Sequence, residues 1–362
     1  MTDLAVYDDG GTNRYVVPQS VLDDYLSPEA RQLVVGGMNA NTLAAYAWQW
    51  HKFRAWCERH KRTFAPASQA TMIEYLNSWR SRPIHNRCKC ELHRPAPTTM
   101  WLWYSAVRFY HAVGSPPLPW EIGKQLELAM ISYSNEMVDE GWVPTKAPRA
   151  YDSDVTAMID ALDLETGDGL RDRAIILCGF YTAARASDLA TYRITDIERR
   201  PNGVEFQLRN SKTNKKVGKK IEVRRMRYNL VNPTYCGVRA LDAYTGWLAA
   251  KHGITEGALF RPFDKHHNLL RGPQDQPGYK MTATNISRAV KMAAIDAGLP
   301  NAQFMTEHSL RRGRATQQRE LGIDPIEIAR AYGWVPGGSI LEYLEEAEGW
   351  SPTAPGSVGA LG

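Results

Sequence analysis

Along residues 41–57 the apolar side chains Leu43, Tyr46, Trp50, Phe53 and Cys57 recur at spacings of three and four among polar neighbours. That period predicts a helix burying one stripe. A second helix is expected from Ser68, an N-cap residue type, with Met72, Leu76 and Trp79 on its inner side. A third follows over Thr98–Val113 and a fourth from about Trp120 to Met137. None of the four alternates with period two, so residues 29–140 read as an all-helical domain. Residues 1–28 are acidic and aperiodic and read as a flexible leader, and 81–97 as a loop rich in Pro, Cys, His and Arg. Pro144 and Pro148 interrupt a stretch without period, which places an interdomain linker at 141–150.

Residues 151–350 change character. Helical stretches at 152–163 and 170–182 lead into Tyr192-Arg-Ile-Thr-Asp-Ile197 and a Pro201-Asn-Gly203 turn. Val204, Phe206 and Leu208 then alternate with Glu205, Gln207 and Arg209, and Ile221 and Val223 alternate with Glu222 and Arg224. This predicts a small antiparallel sheet with its apolar sets on one face and Ser211-Lys212-Thr-Asn-Lys215-Lys216 in the turn between its second and third strands. Asp324-Pro325-Ile-Glu327 opens a helix as N-cap, N1 proline and capping-box acid, and Gly333 stops it. Ser339-Ile-Leu-Glu342 repeats the device and puts Tyr343 near the N-terminal end of a further helix, and the Pro/Gly/Ser-rich 351–362 reads as a disordered tail. The fold class is therefore mainly α with a small antiparallel β-sheet, a helical N-terminal domain preceding an α+β domain.

The charge of +5 is mild but unevenly spread. Residues 199–228 carry eleven Lys/Arg against Glu205 and Glu222, and residues 50–100 carry ten against Glu58, Glu74 and Glu91. Two basic stretches in separate halves suit a clamp around a polyanion, although two solvated faces give the same pattern. No long apolar run suggests a membrane span, and the N-terminus lacks the basic and apolar regions of a signal peptide. Five cysteines, few and odd in number, point away from a disulfide framework and toward a reducing, cytoplasmic setting. His85, Cys88, Cys90 and His93 form a Cys/His cluster with an awkward Cys-x-Cys bite; it reads as a basic loop rather than a zinc site, so no metal is expected there.

Four short segments carry candidate chemistry. His308-Ser-Leu-Arg311 places an imidazole and a guanidinium on one face of a helix opened by Thr306. Arg185 follows the apolar run Ala174–Phe180 and precedes Asp188 by three. Gly333-Trp334 and Tyr343 complete the set. Each is weak alone, since a surface His-x-x-Arg or a packing tyrosine is commoner than a catalytic one.

Together these segments resemble the tyrosine recombinase (phage integrase) family, its Cre-like members most of all. Thr182-Ala-Ala-Arg185-Ala-Ser-Asp188-Leu189 is similar to the family's first arginine box, with aspartate where glutamate is usual. His308-Ser-Leu-Arg311-Arg-Gly-Arg-Ala315 is similar to its second box, and Tyr343 lies nine residues after Trp334 as in those members. The helical half resembles the core-binding (SAM-like) domain, so the likeness spans about residues 35–350. It implies a site-specific recombinase that uses no cofactor, with Tyr343 as nucleophile, Arg185 and Arg311 gripping the phosphate, and Lys212 as general acid, with Lys215 and Lys216 as rivals. His308 would accept the phenolic proton or bond a phosphate oxygen, Trp334 would donate its indole N–H, and Asp188 would orient its neighbours. Tyr332 is a rival nucleophile that lacks the family's spacing to Arg311. Arg288 and Lys291 fall on a helix similar to the one that enters the major groove, and with Lys215 and Lys216 they are the candidate DNA contacts. The implied partner is duplex DNA with inverted half-sites, bound by a homotetramer that is a monomer or weak oligomer when free and works through a Holliday junction. The leader is too short for an arm-binding domain, which favours a simple recombinase. Its rivals are a topoisomerase-like monomer and a DNA-binding accessory protein with an unused catalytic set.

Overall fold

The computed structural model of the chain describes residues 4–8, 14–18, 27–38, 40–80, 94–113, 123–143, 146–208, 222–270 and 279–334. Two compact units divide it, residues 1–144 and 145–362.

The first unit opens with β1 (Leu4–Asp8) and β2 (Arg14–Pro18), paired antiparallel from Leu4 opposite Pro18 to Asp8 opposite Arg14. Part of the aperiodic leader thus pairs with itself, as Val6, Tyr7, Tyr15, Val16 and Val17 give the two runs a strand propensity that five-residue segments show only weakly. Five helices follow, α1 (Pro28–Gly36), α2 (Ala40–Arg59), α3 (Gln69–Arg80), α4 (Pro97–Ala112) and α5 (Lys124–Asp139). Ser27 caps the first, its hydroxyl accepting the Ala30 N–H at 3.1 Å. Ser68 caps the third in the same way, accepting from Thr71 at 3.1 Å. Residues 114–122 lie outside the description, so the helix expected from Trp120 is seen from Lys124. Phe53, Trp56, Met72, Tyr75, Met100, Trp103 and Met130 form an aromatic-rich core, with Trp79 half-buried at its edge. His111 lies inside it as a neutral ring, Nδ1–H donating to the Val107 carbonyl at 2.8 Å and Nε2 accepting from the Ala67 N–H at 2.9 Å. Desolvation holds its pKa below the ordinary histidine value.

The second unit is built on α7 (Gly167–Thr182), whose residues Ala174–Phe180 are all buried. Around it are α6 (Asp152–Asp160), α8 (Ala186–Leu189), α9 (Gly237–His252), α10 (Ala283–Asp296), α11 (Glu307–Glu320) and α12 (Pro325–Ala331). The sheet is antiparallel in the order β3 (Ile197–Arg200), β4 (Gly203–Leu208), β5 (Glu222–Arg227). Its first strand starts later than the sequence suggests, because Ile194–Asp196 close a 3₁₀ turn in which the Asp196 carboxylate accepts the Arg193 N–H at 3.3 Å.

The third strand also turns the other way. Register pairs Phe206 with Arg224 and Val204 with Met226, so Arg224, 1% exposed, shares the inner face while Val223, 36% exposed, faces out. The expectation that Val223 belongs to the inner set is overturned: Ile221 and Val223 suggest one phase, whereas Met226, opposite Val204, sets the other.

Candidate active site

α7 ends at Thr182, and Ala183 adopts the left-handed conformation, φ 45° and ψ 36°. This costs an alanine of order 1 kcal/mol and persists only where packing fixes it. Here Ala183 is fully buried against Ala315, Ile328, Ala329, Tyr332 and Trp334. The turn releases the chain into extended backbone at Arg185, from which the short α8 departs. Asp188, buried on α8, accepts the Arg185 N–H through a long 3.4 Å bond. The Arg185 side chain is half-buried, and among the described residues no carboxylate pairs with it.

Thr306 caps α11. Its hydroxyl accepts the His308 N–H at 3.2 Å, and its own N–H donates to the Ser309 hydroxyl at 3.1 Å. His308 is half-buried one turn before Arg311, which is 2% exposed. Arg311 Nη1 donates to the Ala183 carbonyl at 2.6 Å, so the left-handed turn presents the oxygen that the buried guanidinium requires. Above the guanidinium lies Trp334, with Arg311 Cζ 3.9 Å from its ring centroid. A desolvated cation–π contact of this kind contributes about 2 kcal/mol.

Gly333 delivers that indole. α12 begins at the Asp324 cap, whose carboxylate accepts from Ile326 and Glu327 at 2.7 and 3.3 Å, and ends with Gly333 at φ 59°. The Trp334 N–H then reaches back to the Ala329 carbonyl at 2.7 Å, a Schellman-type close that only glycine adopts without strain. Tyr332 beside it is buried, its ring 5.2 Å from that of Trp334, and burial pushes its phenol above the ordinary tyrosine value against the pull of Arg314.

The segment 147–150 braces α11 from the other side. Ala150 N–H donates to the Ser309 carbonyl at 3.0 Å, Arg312 Nη1 donates to the Ala147 carbonyl, and Gly313 lets the Ala150 backbone come close.

The structure thus brings Arg311 and Trp334 into direct contact, ties them to the turn bearing Arg185 and Asp188, and places His308 on the same helix as Arg311. On α10, Arg288 is exposed and Lys291 half-buried. Lys212, Lys215, Lys216 and Tyr343 lie outside the described residues, as do His85, Cys88, Cys90 and His93. Among the described residues no group of three or more His, Cys, Asp or Glu could hold a metal ion, and Cys57, Cys178 and Cys236 are buried free thiols. No helix among them is long and apolar enough to cross a membrane.

Two features escaped sequence reasoning. A cleft of about 490 Å³ beside Tyr332 is lined by Arg225, Arg227, Arg314 and Arg330 from three separate elements. Glu307 bonds both to the α8 turn and to α10, yet as an acid in a first helical turn it already has an ordinary dipole explanation.

The chain is similar to known proteins in sequence and in fold. The phage integrase family model matches residues 149–348. An integrase/recombinase XerD homolog of Selenomonas ruminantium is 27% identical over 326 residues, covering 90% of this chain and 87% of that protein. Two crystal structures of the XerH site-specific recombinase share the fold at 13% identity. A post-cleavage complex on a palindromic difH substrate has a TM-score of 0.50 over 79% of this chain and 72% of that one. A pre-cleavage complex on difH has a TM-score of 0.50 over 88% and 81%. With the family pattern extending over more than half its length, the chain belongs to the phage integrase family, the tyrosine recombinases, enzymes that cut and rejoin DNA in site-specific recombination.

Proposed function

We propose that the protein recombines duplex DNA at inverted half-sites through a 3′-phosphotyrosyl intermediate formed by Tyr343. The observation that carries this reading is the buried Arg311, hooked to Ala183 and covered by Trp334. A planar guanidinium held this way suits two non-bridging phosphate oxygens, and an arginine on the adjoining turn, Arg185, supplies a second fork. Charge developing at phosphorus is then met by donors already oriented, each worth about 3–4 kcal/mol in comparable sites.

The Tyr343 oxygen bonds to phosphorus while the 5′-oxygen leaves. The phenolic proton goes to His308 or to solvent while His308 bonds a phosphate oxygen, and Lys212 gives the leaving oxygen its proton. Trp334 adds its indole N–H, and Asp188 acts indirectly by fixing the Arg185 backbone. The phosphotyrosyl bond conserves the energy of the broken linkage, so neither nucleotide nor metal cofactor enters the scheme. Tyr332 is the poorer nucleophile, because its phenol is buried and resists ionisation.

The helical unit supplies further contacts to the DNA. Arg288 and Lys291 on α10 with Lys215 and Lys216 contact the duplex, and the arginine-lined cleft adds positive potential for its backbone. Four copies assemble on two duplexes and exchange strands through a Holliday junction; the free protein is a monomer or weak oligomer. The reaction places the protein in the cytoplasm, at the DNA.

The test uses the full chain with Tyr343→Phe and a suicide-nicked site. The variant should bind with near-normal affinity and form no covalent adduct. An adduct in Tyr343→Phe that vanishes in Tyr332→Phe overturns the assignment. Cleavage that needs no paired half-sites would instead identify a topoisomerase-like monomer, and binding without any adduct in the wild-type chain an accessory DNA-binding protein.

A further inference from the structure

Glu307 precedes His308 in the first turn of α11, and its two carboxylate oxygens bond in different directions. Oε1 accepts the Ala186 N–H at 3.3 Å, on the peptide that joins Arg185 to α8. Oε2 accepts the Ser287 hydroxyl at 2.6 Å, and Ser287 precedes Arg288 on α10. One half-buried carboxylate therefore joins the arginine turn, the helix bearing His308 and Arg311, and the helix bearing Arg288.

The backbone at Arg185 needs such a tie. α8 has only four residues, too few to hold its own geometry, and its first amides have no partner within the helix. Asp188 accepts the Arg185 N–H at 3.4 Å and Glu307 the following amide at 3.3 Å, two long bonds that hold the turn jointly rather than singly. A guanidinium at the end of a long side chain magnifies any rotation of its backbone, and small misplacement of a phosphate donor is costly to catalysis. Ser287 in turn is fixed by a short, charge-assisted bond.

We propose that Glu307 is a positioning residue that sets the direction of Arg185 and transmits to it the seating of α10 on DNA. The proposal rests on the reading of Arg185 as a phosphate grip. Glu307 touches no reacting atom; it acts through the Ala186 amide.

The experiment is a double-mutant cycle read by single-turnover cleavage of a suicide-nicked site at saturating protein, with half-site affinity and thermal midpoint measured alongside. Glu307→Ala should slow cleavage by about ten- to a hundredfold, the worth of a charge-assisted hydrogen bond. Half-site affinity should hold or rise, since a negative charge leaves the site. In an Arg185→Lys background the same substitution should change the rate by no more than about twofold, whereas in a Lys212→Ala background its full factor should remain. Glu307→Gln keeps an oxygen for Ala186 and an amide N–H for Ser287, and should restore most of the rate. Ser287→Ala gives a smaller loss with the same dependence on Arg185, and carries the cycle if Glu307→Ala does not fold. Equal factors in both backgrounds, accompanied by a lowered midpoint, would make Glu307 an ordinary brace and sink the proposal, as would wild-type cleavage by Glu307→Ala. An Arg185→Lys enzyme that cleaves normally removes the phosphate-grip reading itself, and the proposal falls with it.

Discussion

Gly313→Ala sets two physical effects of opposite sign against each other. In the interior of α11 alanine is favoured over glycine by about 1 kcal/mol from helix propensity alone. A methyl group at 313 would, however, stand 1.7 Å from the Ala150 carbonyl oxygen, 2.4 Å from its carbon and 2.7 Å from the Ala150 nitrogen. These are backbone atoms, so no side-chain rotation relieves the overlap. Ordinary contact begins near 3.4 Å, and the segment 147–150 must move away by well over an ångström. That movement strains the Ala150 N–H bond to Ser309 and the Arg312 bond to Ala147. Overpacking costs about 1–3 kcal/mol, and each lost hydrogen bond about 1 kcal/mol more. With both bonds lost and the propensity gain offset, net destabilisation of about 2–4 kcal/mol should result, lowering the thermal midpoint by about 2–4 °C per kcal/mol in a unit of this size. Because His308 and Arg311 ride the same helix, covalent-complex formation should fall as well. Thermal melts and the suicide-substrate assay read the two effects. A Gly313→Ala protein as stable as the wild type or more so would show that propensity wins and that Ala150 does not rest on α11.

Two further outcomes are expected. If Lys212 protonates the leaving group, Lys212→Ala should cleave normal DNA poorly and recover on a substrate with sulfur as the 5′-bridging atom; recovery confined to Lys215→Ala or Lys216→Ala moves the role along the turn. His111, buried neutral with its folded pKa below the unfolded value of about 6.5, contributes stability that is fully present above that value and is lost progressively as pH falls from there through the lower folded pKa, so urea midpoints should drop below about pH 6 and His111→Gln should flatten the slope; an unchanged slope refutes it.

Legibility in the sequence followed the range of the forces involved. Helices α2, α3 and α4 were readable because each buries a continuous stripe, and the caps at Ser68, Thr306 and Asp324 because a cap is a local hydrogen bond. Val223 and Arg224 were misassigned since a strand's inner face is fixed by its partner, and only the pairing of Phe206 with Arg224 reveals it. The hairpin of β1 and β2 was missed for a related reason: each run is too short to carry a period. At the candidate site, motif order singles out Arg185, Asp188, His308, Arg311 and Trp334 as candidates but carries no information on what holds them. The hook from Arg311 to Ala183 spans 128 residues, and the Glu307 bond to Ala186 spans 121; no spacing rule reaches so far.

Those two contacts suggest why the arginines are held so differently. Burying a guanidinium costs several kcal/mol unless its donors are met, and Arg311 meets that cost with the Ala183 carbonyl on one side and the Trp334 ring on the other. Its orientation is settled by the fold itself. An ammonium at 311 could reach the carbonyl or a phosphate, but it could not lie flat against the indole while donating to both. Arg185 gains its direction through its backbone among the described residues, from a left-handed alanine, a four-residue helix and the carboxylates of Asp188 and Glu307. Arg311 is therefore set by contacts of its own side chain, whereas Arg185 depends on contacts that α10 shares. If both guanidinia grip the phosphate as proposed, the anion site is complete only when α10 holds Glu307 through Ser287, and cleavage is then coupled to the seating of that helix.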